Sequence, residues 1–264
     1  MKRELVALVL LGAVFASPTL FARADGSISV TQKVAMQQPQ RRIPKVLMYH
    51  DVMDIQAGTD AMRQIIAIRP EHLEEQFKYL HENRYDSIFA SDFVGLLGKP
   101  FPPKTVVITF DDGLRDVYDT VLPLIRKYGI KITVFANPGF DGTNGRMSHA
   151  ELWELSNSGL VEIGAHTMDH VNLTEVTDDE ARIQIRDSKA LLEEITGKPV
   201  KVFAYPFGKF GYREEKMVAE FGMSTAFAAD DVHGKHHKNR LRLPRVTIGE
   251  KTSAREFIRI VRGW

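Results

Sequence analysis

Residues 105–116 read TVVITFDDGLRD. Thr105 to Phe110 is an unbroken run of β-branched and aromatic side chains, the composition of a strand buried on both faces. Asp111, Asp112 and Gly113 end it abruptly. Standing alone, an aspartate pair before glycine is an ordinary turn. Its meaning therefore depends on what else the chain brings to the same end of the same sheet.

Working outward, strand and helix patterns alternate. Downstream, VYDTVLPLIRKYG (117–129) reads as a helix closed by Gly129, with Pro123 predicting a kink or a late start. The strands IKITVFA (130–136), LVEIGAH (160–166) and VKVFAYP (200–206) alternate with helices over SHAELWELSNSG (148–159), TDDEARIQIRDSKALLEEITG (177–197) and YREEKMVAEFG (212–222). The strands STAFAA (224–229) and RLPRVTI (242–248) and a helix over 253–264 complete the chain. Upstream, KVLMYHDV (45–52) is a buried strand, and 69–84 carries Leu73, Phe77 and Leu80 on one helical face. Such alternation predicts an α/β fold with a mainly parallel sheet covered by helices, closed as a barrel or open. In both, chemistry gathers where strands end. No glycine-rich phosphate loop follows the first strand, which argues against a nucleotide-binding sheet.

The amino terminus has its own pattern. Met1-Lys2-Arg3, the apolar run Leu5 to Ala16 and the small residues of Ala22-Arg23-Ala24 form a secretory signal peptide over 1–24. The apolar run is short of the roughly 20 residues that span a bilayer, so no membrane span is expected after cleavage. Residues 25–43 are polar and aperiodic, a flexible leader, and the folded domain is expected over 44–264. With no cysteine, neither disulfides nor a lipid-attachment site is available. Cleavage removes three of 35 basic and one of 34 acidic residues, leaving 32 against 33, which argues against nucleic acid as a partner.

Two strand ends carry candidate chemistry. One holds Asp111 and Asp112; the other, HTMDH, holds His166 and His170. Two imidazoles four apart and a carboxylate from another strand make a three-ligand metal site with positions left open. An isolated H-x-x-x-H is a weak signal, and position at the ends of parallel strands gives it weight. Adjacent carboxylates also suit a division of labour, one binding the metal and the other taking a proton from the attacking water.

In that order, TFDDG (109–113), HTMDH (166–170) and YPFG (205–208) resemble the polysaccharide deacetylase family, the NodB-homology domains of carbohydrate esterase family four. The resemblance spans 44–264. It implies a distorted (β/α) barrel of about seven parallel strands and removal of acetyl groups from N-acetylated sugars with a bound divalent metal. It makes Asp111 the general base, Asp112, His166 and His170 the metal ligands, and the backbone N–H of Tyr205 an oxyanion donor. Two histidines and a carboxylate suit zinc, with cobalt and nickel as alternatives.

The chain departs from the family pattern in two places. The arginine that usually precedes the proline of the third motif is replaced by Ala204, and the Leu-x-His ending of the last motif reads Leu243-Pro244-Arg245. Arg245 is then expected to supply the missing cation beside Asp111. His50, in LMYHDV, is the candidate acid or substrate-binding group, with a structural histidine as the alternative reading. His233, His236 and His237 lie in a polar tract and read as solvated. An early MYHDV, YPFG without its arginine and a final LPRV look most like exported deacetylases of biofilm poly-β-1,6-N-acetylglucosamine. The expected function is thus a secreted or periplasmic, zinc-type polysaccharide N-deacetylase acting on an acetylated polysaccharide. An O-acetyl esterase on xylan and a non-catalytic carbohydrate-binding domain are the alternatives.

Overall fold

The computed structural model describes residues 45–263 except 57, 98, 100 and 230–238. The signal peptide and leader, together with His233, His236 and His237, lie outside the described residues. In chain order the elements are β1 (Lys45–Tyr49), α1 (Arg63–Ile66), α2 (Pro70–Glu82), β2 (Asp86–Ile88), α3 (Ala90–Leu96) and β3 (Thr105–Phe110). There follow α4 (Leu122–Tyr128), β4 (Ile132–Ala136), α5 (His149–Ser156), β5 (Val161–Ala165) and α6 (Asp178–Thr196). The chain ends with β6 (Val202–Ala204), α7 (Tyr212–Glu220), β7 (Thr225–Phe227), β8 (Val246–Thr247) and α8 (Ala254–Arg262).

Every strand pairing is parallel. The order is β7-β6-β5-β4-β3-β1-β8, seven strands on one path, and β2 shares an edge of β3 with β4. The stretch expected as one strand over 242–248 is instead divided between two neighbours. Leu243 bridges to Phe227 of β7, and Val246 and Thr247 pair with Leu47 and Met48 of β1. One short segment thereby joins the two ends of the curled sheet, as a distorted (β/α) barrel requires.

Side chains alternate across this sheet as the two-residue period of a strand dictates. Leu47, Tyr49, Val106, Ile108, Phe110, Ile132 and Val134 pack outward under the helices. Val46, Val107, Phe135, Val202, Ala204, Phe227 and Leu243 point inward and form a separate core with Ala90 and Phe93 of α3. Thr133 accepts the Ala90 N–H and Glu162 the Ser91 N–H, so inward polar groups of β4 and β5 hold the start of α3.

The helices begin and end where local chemistry allows. Ser148 and Glu151 form a reciprocal capping box on α5, and Thr177 accepts the Glu180 N–H at the start of α6. Pro123 acts as the sequence suggested: residues 117–121 form a π-type turn, and regular α-helix starts only at Leu122, where a missing proline N–H costs nothing.

Candidate active site

The inward register delivers polar residues to the carboxyl end of the barrel. Val46 and Met48 are followed in that register by His50, Val107 and Thr109 by Asp111, and Glu162 and Gly164 by His166. Parallel pairing continues through these positions, since Asp111 donates its N–H to the Tyr49 carbonyl and His166 to that of Ala136. Asp112 breaks the register with φ of +71°, which turns its carboxylate away from that of Asp111. The next residue must be glycine: Gly113 also has positive φ, and a Cβ there would lie 3.0 Å from the Ala136 methyl.

Asp112, His166 and His170 converge. Asp112 Oδ1 lies 3.5 Å from His166 Nε2 and 3.1 Å from His170 Nε2, and one ligand atom from each residue falls within 4.8 Å of the others. Donors each about 2 Å from a shared cation lie roughly 3.3 Å apart in a tetrahedral arrangement, and the two carboxylate–imidazole spacings match that value. The donor chemistry fits as well. His166 Nδ1 is 2.8 Å from the Ala204 carbonyl, an acceptor only, so Nδ1 donates there and Nε2 is the ring nitrogen turned to Asp112. Asp112 Oδ1 is buried without a hydrogen-bond donor. Burial alone would raise the Asp112 carboxyl; the two imidazoles outweigh it and hold the group well below the usual carboxylate range.

Asp111 sits beside this set and is itself held by a cation. Arg245 Nη1 is 2.6 Å from Asp111 Oδ1 and Nη2 is 2.7 Å from Oδ2, a two-pronged contact between residues each 2% exposed. Arg245 Nη1 also reaches Thr109 Oγ1 at 3.2 Å, and Nε donates to the Ala228 carbonyl at 2.8 Å. Burial would push the Asp111 carboxyl up; the charge of Arg245, then that of His166, reverses this and keeps it lowered. His50 Nε2 stands 3.9 Å from Asp111 Oδ2, and its Nδ1 is buried with no partner.

One expectation is corrected. The Tyr205 N–H donates to the Phe227 carbonyl at 3.0 Å, because parallel pairing with β7 runs one residue past β6, and it cannot also serve an oxyanion. The Tyr205 side chain points outward, with its hydroxyl on the Leu241 carbonyl. Phe207, two residues on, has φ of +59°, is 60% exposed and lies 4.6 Å from the His170 ring. Among the described residues its N–H donates to no acceptor.

The motif reading missed several neighbours. Arg146 is stacked on Phe140 with a terminal nitrogen 3.9 Å from Asp112 Oδ2. The Ala204 carbonyl fixes a ring it is 38 residues from. Asn137 and Gln184 grip the backbone between the two histidines. Only Asn137 had a sequence signal, since it continues the inward series Thr133, Phe135 of β4.

A parallel α/β barrel with a three-residue cation cradle and a separately held carboxylate at its carboxyl end has the form of a hydrolase. Comparison with known proteins narrows the class. The profile of the family described as polysaccharide deacetylase matches residues 98–226. YxkH of Bacillus subtilis (strain 168), named as a polysaccharide deacetylase, is 25% identical, with 97% of each chain covered. The poly-β-1,6-N-acetyl-D-glucosamine N-deacetylase of Staphylococcus aureus (strain MRSA252) is 25% identical over 75% of this chain and 72% of its own. Among solved structures, BC0361, a polysaccharide deacetylase from Bacillus cereus, has a TM-score of 0.72 at 25% identity, covering 82% of this chain and 68% of that one. The Streptococcus pyogenes deacetylase PplD has a TM-score of 0.75 at 20% identity, with 83% and 97% covered, a likeness of fold. Residues 98–226 thus match the polysaccharide deacetylase family, whose members are metal-dependent hydrolases of carbon–nitrogen bonds.

Proposed function

We propose that this chain is an exported, zinc-type N-deacetylase of N-acetylglucosamine polymers, with poly-β-1,6-N-acetylglucosamine as the preferred substrate. The observation that carries it is the side-by-side placement of Asp112, closed on His166 and His170, and Asp111, closed on Arg245. The linkage preference is supported by the relatives named for that polymer, and export by the amino-terminal pattern of residues 1–24. Among the described residues no helix is long and apolar enough to cross a membrane.

A divalent cation held by Asp112, His166 and His170 would polarise the acetyl carbonyl and make the attacking water more acidic. The protein's own groups supply the rest. Asp111 takes one proton from water as its oxygen bonds to the acetyl carbon; each carboxylate oxygen keeps a lone pair beyond those used by Arg245. The Phe207 N–H donates to the developing oxyanion in place of Tyr205. His50 gives a proton to the sugar nitrogen as the carbon–nitrogen bond breaks, leaving a free amine and acetate.

Acetate release from N-acetylglucosamine polymers of β-1,4 and β-1,6 linkage, with and without chelator, tests this reading. Chelator-sensitive release that favours the β-1,6 polymer is the expected result. Release only from O-acetylated xylan would replace the reading by the esterase one. No release from any polymer at full metal loading would leave a binding domain.

A further inference from the structure

The five residues His166 to His170 carry both imidazoles on an irregular backbone. Thr167 and His170 have φ of +65° and +56°, a region that side-chain-bearing residues rarely occupy. Such a segment needs outside support to hold one shape. Two carboxamides from different parts of the fold provide it. Asn137, 3% exposed at the end of β4, directs its Nδ2 to the carbonyls of His166 and, at 3.3 Å, Thr167. Gln184, 7% exposed on α6, accepts the N–H groups of Met168 at 2.9 Å and Asp169 at 3.0 Å on its Oε1. Its Nε2 donates to Asp169 Oδ2 at 2.8 Å, and the Gly139 N–H meets the Met168 carbonyl at 3.1 Å.

The chemistry of these contacts is complementary. Two carbonyls call for a donor that can fork, and two N–H groups for an acceptor with two lone pairs. Gln184 uses both ends of its amide, and Asn137 its Nδ2 end, with Oδ1 buried and unpartnered. The partners also fix which way each amide faces, since a reversed Asn137 would set oxygen against oxygen and a reversed Gln184 would set NH2 against N–H. Neither Asn137 nor Gln184 hydrogen-bonds to Asp111, Asp112, His50 or Arg245 among the described residues.

We propose that Asn137 and Gln184 are positioning residues that hold the loop between His166 and His170 in its cation-binding shape before any cation arrives. This rests on the reading of those histidines as ligands. A preformed loop spares the ion the ordering of four peptide groups, so the clamp sets affinity for the metal more than the chemical step.

The test uses the full chain stripped of metal, with zinc as the probe. Zinc affinity is measured by competition with a chromogenic chelator in wild type, Asn137→Ala, Gln184→Ala and Gln184→Glu. Hydrogen exchange of the Met168 and Asp169 amides is followed in parallel. Both alanine variants are expected to bind zinc about 10-fold or more weakly, with faster exchange at 168 and 169. Activity lost at limiting zinc should return with excess zinc at unchanged KM. Gln184→Glu keeps the acceptor but sets a second carboxylate against Asp169, so its affinity should fall between wild type and Gln184→Ala. Folded alanine variants with zinc affinity within twofold of wild type would overturn the proposal, as would unchanged exchange. Because Asn137 and Gln184 belong to different elements, one variant that fails to fold leaves the other to decide. Zinc binding in wild type that is indifferent to His166→Ala would reject the ligand reading instead, and the exchange measurement would still judge the clamp.

Discussion

Arg245 meets Asp111 edge to edge, each terminal guanidinium nitrogen on one carboxylate oxygen, inside the barrel and against the Phe135 ring at 5.5 Å. The cation reaches the candidate base from the last strand segment, although the third motif carries Ala204 where the family's arginine usually stands. That places a fixed positive charge against both oxygens of the carboxylate.

Removing that cation leaves a buried, uncompensated charge. Arg245→Met is expected to cost roughly 3–5 kcal/mol in urea unfolding and to lower kcat more than metal content. Adding Asp111→Asn should return part of the lost stability, because the orphaned charge is gone. Arg245→Lys keeps the charge without the fork and should fall between. A double variant no more stable than Arg245→Met would refute the pairing.

Stability should depend on pH through a carboxyl outside the set of Asp112, His166 and His170. Burial pushes the Asp116 carboxyl up from 3.8 to about 7, against the Val52 N–H that donates to its Oδ2 at 2.6 Å and with the help of the Asp51 charge. The folded chain then holds a proton that the unfolded chain has already lost between those two values. Stability from this group is full below about pH 4 and falls as pH rises to about 7, by up to roughly 1.4 kcal/mol per pH unit. Asp116→Asn removes the slope. Urea midpoints should show the variant gaining on wild type from pH 4 to pH 8; a gap that does not change with pH would discount the raised carboxyl.

Much of this was legible in the sequence, and the parts that were not share a cause. The strand 105–110 emerged at its predicted bounds, because six consecutive β-formers leave no other choice. The grouping of Asp112, His166 and His170 was legible because both motifs follow strand ends and together resemble a known family, and the Arg245–Asp111 pair because Ala204 left a charge to be found elsewhere. β2, three residues long, and α3, seven residues with a glycine, were too short to show a period. The Tyr205 N–H was misplaced because motif position does not say how far strand pairing runs. Asn137 and Gln184 act on residues 15 to 30 positions away, and no local pattern encodes such contacts.

The barrel interior and the site are coupled through one small residue. A Cβ at Gly164 would lie 2.6 Å from the Phe135 ring and 2.8 Å from a Val202 methyl. Phe135 in turn supports the Arg245 guanidinium. Gly164→Ala is therefore expected to destabilise by about 1–3 kcal/mol and to reduce kcat through the displaced arginine. Calorimetry with acetate release checks both; a variant with unchanged melting and turnover would show that Phe135 has room to move.

His50 is the remaining group whose role geometry narrows. It stands 3.9 Å from Asp111 Oδ2, outside the set formed by Asp112, His166 and His170, with an unpartnered ring nitrogen. A purely structural histidine would ordinarily use that buried nitrogen in a hydrogen bond. His50→Ala should therefore leave zinc content at the wild-type level and melting within a few degrees, while kcat falls about 100-fold or more if the imidazole donates the proton. Added imidazole should then restore part of that loss, because it can occupy the vacated space beside Asp111. A rise in KM with kcat preserved would make His50 a substrate-binding group instead, and loss of zinc would return it to the cation site.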